Sequence, residues 1–213
     1  ITAALSGLDL RFVEFTTPLQ KILDCGRTVT VAQEGLNCDL FVGLPKVKAH
    51  NQMYVTLAVK NIFGIVKGVN KAKLHMTTGN SHEQFSHVLL DLVRLLPPHI
   101  HLMDGIHAMH KSGPLSGALL PLHCVAASSC PVAMDSAMMD LLELDKTKSP
   151  LWRTAGKRQF AGTFTDNLVY PRLLPSHFHH SGFAAPQSLD PVRFSPVRFL
   201  SGMLKRVSLA VRS

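Results

Sequence analysis

The chain has few charged and few aromatic side chains. Charged residues make up 17% and aromatic residues 7% of the 213 positions, against 46% apolar residues. This composition excludes a disordered chain and predicts one globular domain with a sizeable core. A net charge of +8 suits an anionic partner, but the aromatics are not interleaved with the basic residues, so nucleic acid is not favoured.

Cysteine is scarce and unpaired in sequence. Cys25, Cys38, Cys124 and Cys130 form no C-x-x-C pair and no disulfide-framework spacing. The pattern predicts free thiols in a reducing cytoplasm and does not favour a zinc or iron–sulfur centre built from these residues alone. We therefore expect a cytoplasmic protein.

Long apolar runs are also absent. The longest uncharged stretch, residues 117–134, contains Pro121, His123 and Pro131, which predicts a strand, a turn and a helix start in place of a membrane span. The chain starts at Ile1, without a methionine and without a signal-peptide pattern, so we expect a fragment or a trimmed chain.

Hydrophobic periodicity predicts an α/β fold. Residues 8–12 and 28–31 alternate as strands do, and the apolar run 38–44 is typical of a strand buried on both faces of a parallel sheet. Residues 55–66 suit a buried helix. Residues 81–96 form the clearest amphipathic helix, with Ser81 as N-cap and Pro97 as its stop.

A second strand–helix unit follows. The pattern predicts strands at 99–103 and 119–127, and then a helix from Pro131 to about Leu144 with Cys130 as its cap. The predicted architecture is a largely parallel sheet flanked by helices. We expect an α/β core over residues 1–145 and an irregular, Pro-rich, wrapping region over 146–213, with a return to helix over 197–211.

The most informative segment runs from Asp39 to Gly64. It contains Lys46, Lys48, His50 and Lys60, and no acidic residue occurs between Asp39 and Glu83 to pair with them. If the chain stays extended after Pro45, Lys46, Lys48 and His50 share one face while Val47 and Ala49 take the other. The arrangement suits a carboxylate or phosphate at a strand end, or a solvated basic edge that discourages strand pairing.

Lys60 and Asn61 lie inside an apolar helical stretch. A lysine there must snorkel, pair or face a cavity. Lys67, Lys71, Lys73 and His75 follow without a nearby acid, which favours a shared anion.

Two carboxylates are candidate acids. Asp104 follows a predicted strand, where a carboxylate can act as a general base or metal ligand, and Asp135 lies early in a helix, where negative charge is stabilising in any case. If Asp135 faces the same crevice, the two form a paired site. The spacing of His107 and His110 would fit a metal only with a third ligand, so cap or surface roles are favoured. His177, His179 and His180 form a short cluster in the irregular region, which suggests a loop or an accidental metal-affinity patch before a biological site.

The runs VGLPKVKAHNQMYVTLAVKNIFG, LMDGIHAMHKSGPLSG and VAASSCPVAMDSAMMDLL resemble, in order and spacing, the bacterial and archaeal domain of unknown function 362 (DUF362) family over about residues 35–145. Members are often joined to ferredoxin-like iron–sulfur modules. The resemblance therefore implies a redox-linked or accessory enzymatic role with a ferredoxin-like electron donor, any cluster being supplied by a separate module or partner. The family pattern has an acidic residue at the position of His110 and an aspartate at that of Cys130, so the crevice should be more positive here.

These observations predict a Lys/His-lined crevice for an anionic small molecule. The candidate catalytic residues are Asp104, Asp135 and Lys48, and the candidate ligand-binding residues are Lys46, Lys48, His50, Lys60, Asn61, Gly113 and Gly117. The resemblance also implies importance for Gly64 and Pro114. The alternative is a non-enzymatic protein that uses a basic surface to bind a partner.

Overall fold

A computed structural model describes residues 7–78 and 81–192. These residues form seven strands and five helices. The strands are β1 (Pro18–Ile22), β2 (Thr28–Ala32), β3 (Phe41–Gly43), β4 (Lys46–His50), β5 (Tyr54–Thr56), β6 (His99–His110) and β7 (Ala118–Ser128). The helices are α1 (Ala58–Ile62), α2 (Gly68–Thr78), α3 (His82–Leu95), α4 (Pro131–Leu141) and α5 (Pro150–Lys157).

The main sheet has five strands arranged around β6. Strands β3 and β4 pair in parallel with successive parts of β6, while β7 pairs antiparallel with β6 and β5 pairs antiparallel with β4. Strands β1 and β2 form a separate antiparallel hairpin. The α/β class is confirmed, but the expected parallel sheet is correct only in part, because two of the main sheet's pairings are antiparallel.

Strand β6 is longer than its sequence predicts. The expected end at residue 103 is wrong, since the strand continues through Asp104 and Gly105 to His110 and pairs with β7 as far as His110–Ala118. The register shifts between Gly105 and His107, and a Cβ on Gly105 would lie 2.4 Å from Cys124 Sγ. His107 and His110 therefore lie in a strand, with His107 exposed and His110 buried.

Helices cover one face of the sheet. Val47, Met103 and Leu122 on that face belong to one apolar core with Met134 and Met138 of α4. A second core gathers side chains of the hairpin, α2, α3 and α5 around the fully buried Phe85. The helix predicted after Ser81 is confirmed, and the Ser81 hydroxyl accepts a hydrogen bond from the Gln84 N–H at 3.3 Å.

The helix predicted to begin at Pro131 is confirmed as α4. Its N-cap is Cys130, whose Sγ accepts from the Ala133 N–H at 3.5 Å. It ends at Leu141, three residues before the expected end.

The other face of the main sheet is open in the part of the chain described here. Alternate strand residues Val42, Leu102, Leu119 and Val125 are 46%, 40%, 69% and 68% exposed. We call this surface, together with Lys46, Lys48 and Asp104, the open sheet face. The expectation of a strand buried on both faces at residues 38–44 is therefore wrong: β3 spans only Phe41–Gly43 and has a covered and an uncovered side.

The predictions for the first third of the chain are confirmed only in part. Residues 8–12 form no regular strand, whereas the predicted strand around Val29 and Val31 is confirmed as β2. The helix expected over 55–66 is divided into β5, α1 and a 3-10 turn at Phe63–Ile65.

The region from residue 146 is not irregular throughout. It begins with a 3-10 turn at Lys146–Lys148 and forms α5, and residues 158–192 then contain only short 3-10 turns. The helix expected over 197–211 lies outside the described residues. No helix in the described ranges is long and apolar enough to cross a membrane.

An ion pair fastens α5 to α3 beside the hairpin turn. Arg158 Nη2 lies 2.6 Å from Asp91 Oδ1, with exposed side-chain fractions of only 16% and 1%. The other Asp91 oxygen accepts from the Cys25 N–H at 2.8 Å. One buried carboxylate thus joins three elements.

Candidate functional site

Strand β4 carries the lysines that the sequence singles out. Val47 and Ala49 are fully buried, whereas Lys46 and Lys48 are partly exposed on the open sheet face. This alternation agrees with the expected extended conformation after Pro45. The Lys48 side chain makes no hydrogen bond or ion pair with any described residue, while its backbone lies between Thr56 of β5 and Met109 of β6.

Asp104 is the partner of Lys46. The two residues are in register on β6 and β4, and Lys46 Nζ lies 2.6 Å from Asp104 Oδ2. The hydrogen bond from Lys46 holds the pKa of the Asp104 carboxyl below its usual value, and Oδ1 also accepts from the Ile106 N–H at 3.0 Å. Asp104 is therefore an ionised, paired carboxylate at neutral pH.

Asp135 lies on the opposite side of the sheet. It is buried in α4, and its Oδ1 accepts a hydrogen bond from the Ala58 N–H at 2.7 Å, with Val59 N 3.3 Å from Oδ2. Leu57, the N-cap residue of α1, has no side-chain oxygen, so Asp135 caps that helix from another element. Burial raises the pKa of Asp135 to about 8, against the lowering effect of the two N–H groups.

Asp104 and Asp135 do not form the paired site that we considered from the sequence. Asp104 projects from β6 on the open sheet face, whereas α4 packs on the face that carries Met103. Successive strand residues point to opposite faces, so the sheet separates the two carboxylates.

Lys60 occupies an aromatic environment. Its Nζ lies 4.8 Å from the ring centre of Phe63, which follows it by three positions, and 5.4 Å from that of Phe85 on α3. Among the described residues no side chain or carbonyl accepts a hydrogen bond from this ammonium, and no carboxylate pairs with it. Burial, followed by the charge of Lys71, lowers the pKa of Lys60 to about 8.

Two histidines lie near Lys60. His50 Nδ1 accepts hydrogen bonds from the N–H groups of Gln52 and Met53, so its ring proton belongs on Nε2. Burial, followed by the charge of Lys60, lowers the pKa of His50 to about 3 and that of His75 to about 4. Both rings are therefore neutral at pH 7.

His75 shares the aromatic surface with Lys60. Its ring centre lies 5.5 Å from that of Phe63 and 4.6 Å from that of Phe85. We call Lys60, Lys71, His50 and His75, with Phe63 and Phe85, the Lys60 cluster. Asn61 is the next residue of α1 and is partly exposed.

The loop after β6 is seated on the end of β4. The Asn51 N–H donates to the Gly113 carbonyl at 3.1 Å, and the Gly113 N–H donates to Asn51 Oδ1 at 3.0 Å. A Cβ on Gly113 would lie 2.0 Å from the Ala49 carbonyl oxygen, and one on Gly117 would lie 2.1 Å from the Ser112 oxygen. Gly113 thus permits a close backbone approach beside His50, whereas Gly117 permits one within the loop after β6.

A segment that the sequence did not point to crosses the same region. The Asp190 N–H donates to the Asn51 carbonyl at 2.7 Å, and Gln52 Nε2 donates to the Pro191 carbonyl at 2.8 Å. His75 Nδ1 lies 3.1 Å from the Val192 oxygen. We call Asp190–Val192 the crossing segment. Phe63 could have been found from its spacing to Lys60, but no local signal indicates the crossing segment.

The predicted site residues thus fall into separate places. Lys46, Lys48 and Asp104 lie on the open sheet face, Asp135 lies at the N-terminus of α1, and His50 and Lys60 come together with Gly113 nearby.

The family model described as "Domain of unknown function (DUF362)" matches residues 1–140. The chain belongs to the DUF362 family.

One curated relative of this DUF362 protein is the "Thylakoid-associated protein sll1697" of Synechocystis sp. (strain ATCC 27184 / PCC 6803 / Kazusa). The two are 30% identical over 202 residues, which is 94% of this chain and 63% of the relative. The chain therefore spans less than two thirds of the relative's length. No solved structure matches it.

Proposed function

We propose that this DUF362 protein binds a small anionic molecule at the Lys60 cluster. The observation that supports the proposal is the Lys60 ammonium, which is partly buried against two rings and has no acceptor among the described residues. The two ring faces attract the ammonium by only about 0.5–2 kcal/mol, which does not offset its withdrawal from water, and an anion placed beside it recovers that cost.

The surrounding charges favour the same occupant. Lys71 adds a second positive charge near Lys60, and its own pKa is lowered by burial. The neutral His50 ring carries its proton on Nε2, which makes that nitrogen a hydrogen-bond donor. Two cations with a neutral donor suit a carboxylate or phosphate.

A thermal-shift titration with inorganic phosphate and with L-lactate tests this proposal. At a ligand concentration of one hundred times Kd, binding stabilises a folded protein by about 2.7 kcal/mol. We expect the Tm of the full chain to rise by roughly 5–10 °C under that condition.

Lys60→Met should abolish this Tm rise, because it keeps an apolar side chain over the two rings and removes the charge. Lys73→Met is the matched control, since Lys73 is an exposed lysine on α2, and it should respond like the unaltered chain. An equal response of Lys60→Met and Lys73→Met would exclude the Lys60 cluster as the anion site.

The proposal extends to a redox-linked or accessory enzymatic role with a ferredoxin-like electron donor. Only family membership supports this extension. Titration of a reduced ferredoxin with the chain, with and without phosphate, should reveal a complex, and the absence of a complex would remove this part of the proposal.

A second candidate function is peripheral binding to an anionic membrane surface. The open sheet face supports it, because exposed Leu119 and Val125 share this face with Lys46 and Lys48. The relative's name, thylakoid-associated protein, agrees with such a role, and the net charge of this chain is +8. Apolar area and positive charge together favour an anionic bilayer surface.

Co-sedimentation with vesicles tests the second candidate. The chain should sediment with phosphatidylglycerol vesicles at low salt and less with phosphatidylcholine vesicles. Val125→Asp should weaken binding, whereas Val69→Asp, at an exposed valine of α2, should not. Equal binding of both variants would show that the open sheet face is not the contact.

A further inference from the structure

Lys60 combines two features that make a lysine amine nucleophilic. Its Nζ lies over the Phe63 ring, where water is partly excluded, and a second cation, Lys71, acts on it from α2. An amine in an apolar pocket, or beside another positive charge, loses its proton at a lower pH and can then attack a carbonyl carbon.

The Lys60 cluster contains no carboxylate that would stabilise the protonated form of the Lys60 amine. The charged and titratable groups that act on it are Lys71 and His75 from α2 and His50 from β4, and both imidazoles are neutral at pH 7. No carboxylate among the described residues holds the ammonium in its protonated form. The positive charge of Lys71 would attract the carboxylate of a substrate.

We propose that the Lys60 amine forms a Schiff base with the carbonyl group of a small anionic oxo compound of the 2-oxo acid class. This inference rests on the proposed function, since it takes the Lys60 cluster as the anion site. The lowered pKa of Lys60 agrees with the geometry, because about a tenth of the amine is unprotonated one pH unit below a pKa of about 8.

The reaction requires no oxidant or reductant. The neutral Nζ forms a bond to the carbonyl carbon, the carbonyl π electrons move to oxygen, and proton transfer from nitrogen to oxygen gives a carbinolamine. Its hydroxyl group then leaves as water, with the second nitrogen proton lost overall, and a C=N bond forms. The net change is one amine and one carbonyl to one imine and one water.

Borohydride trapping tests the inference. The full chain is incubated with pyruvate, quenched with sodium borohydride, digested and mapped by mass spectrometry. We expect the reduced adduct at Lys60 to exceed that at exposed Lys73 at least tenfold. Equal labelling of Lys60 and Lys73 would overturn the inference.

The dependence of trapping on pH gives a second readout. The initial rate should reach half its maximum near pH 8, and Lys71→Gln should move that midpoint to higher pH because it removes a neighbouring charge. An unchanged midpoint in Lys71→Gln would contradict the assigned role of Lys71.

Lys60→Arg separates the two proposals. Arginine keeps the positive charge but cannot form the imine, so this variant should still bind phosphate and L-lactate while the adduct at position 60 disappears. If phosphate and L-lactate bind but pyruvate is not trapped at Lys60, the Schiff base is excluded and the proposed anion site stands. If neither anion binds yet pyruvate is trapped there, the amine is reactive and the anion site is wrong.

Discussion

Asp135 and Ala58 are joined across the contact between α4 and α1, with the Ala58 N–H donating to Asp135 Oδ1 at 2.7 Å. A buried carboxyl thus supplies the helix cap that Leu57 cannot. Asp135→Leu should lower the free energy of unfolding by about 1–3 kcal/mol, because it leaves a buried N–H without an acceptor. Asp135→Asn keeps an acceptor oxygen and should cost less. Urea unfolding of both variants measures the difference.

The same carboxyl makes stability depend on pH. Its pKa is raised to about 8 in the folded chain from an ordinary 3.8, so the folded state retains a proton that the unfolded state loses. The contribution is complete below pH 3.8 and is lost as the pH rises towards 8. The stability of the unaltered chain relative to Asp135→Asn should therefore fall over this range. A constant difference would contradict the raised pKa.

Lys60 should show the opposite trend. Its pKa is lowered to about 8 from 10.5, so its charged form destabilises the folded chain at pH 7. Lys60→Met should consequently be more stable than the unaltered chain at pH 7, and the gap should shrink as the pH rises from 8 to 10.5. Lys73→Met provides the baseline in the same urea titrations, and a less stable Lys60→Met would mean that the ammonium is satisfied in the folded state.

The Lys46–Asp104 pair should contribute little to stability. Both side chains are nearly half exposed, and such pairs contribute about 0–1 kcal/mol. Asp104→Asn should therefore unfold within about 1 kcal/mol of the unaltered chain. It should also bind phosphate normally, because Asp104 is not part of the Lys60 cluster. Loss of phosphate binding in this variant would return the anion site to the open sheet face and to the role first predicted for Asp104.

The Arg158–Asp91 pair should behave differently from its exposed neighbour. Arg158→Met leaves a buried carboxylate without its cation and should cost about 3–5 kcal/mol. Lys157→Met breaks the Lys157–Glu83 pair, whose members are 66% and 50% exposed, and should lower stability much less than Arg158→Met. If chemical denaturation gave the same loss of unfolding free energy for both variants, the burial of Asp91 would not determine the strength of its ion pair.

Gly113 and Gly64 offer a matched pair of backbone substitutions. A Cβ at Gly113 would collide with the Ala49 carbonyl, whereas one at Gly64 meets nothing within 4 Å. Gly113→Ala should destabilise by about 1–3 kcal/mol, and Gly64→Ala should be neutral or slightly stabilising. If the two variants had the same denaturation midpoint, the loop would not be held against β4 as described.

The sequence predicted the starts of α3 and α4, because helix starts are determined by a few neighbouring residues. Ser81, Cys130 and Pro131 mark helix starts that the structure confirms, because a cap acts within one turn. The length of β6 could not be read in this way, since its second half is held by pairing with β7. Because Gly105 follows Asp104, the sequence suggests that the strand ends there. In the structure Gly105 lies instead at a register shift within β6, and the strand continues.

The candidate site likewise has features that neighbouring residues indicate and features that depend on contacts between distant parts of the chain. Lys60 has no carboxylate partner among the described residues, and the sequence indicated this because no acidic residue lies near Lys60 along the chain. The separation of Asp104 from Asp135 was not visible, since it depends on which face of the sheet α4 covers. The crossing segment contacts Asn51 and Gln52 from nearly 140 positions away, and no sequence pattern near His50 indicates it.

Because β6 is the central strand, the order in which the chain is made matters for folding. Phe41 pairs with His99, and Lys48 with Met109, so the parallel pairings join residues roughly sixty positions apart. Strands β3 and β4 emerge from the ribosome well before β6, and their backbone groups on that side have no partner strand until β6 follows. Such non-local pairing slows folding and leaves strand edges exposed to other chains. Strand β5 and helices α1, α2 and α3 are made in this interval, so the edges of β3 and β4 that face β6 stay unpaired while four further elements are synthesised.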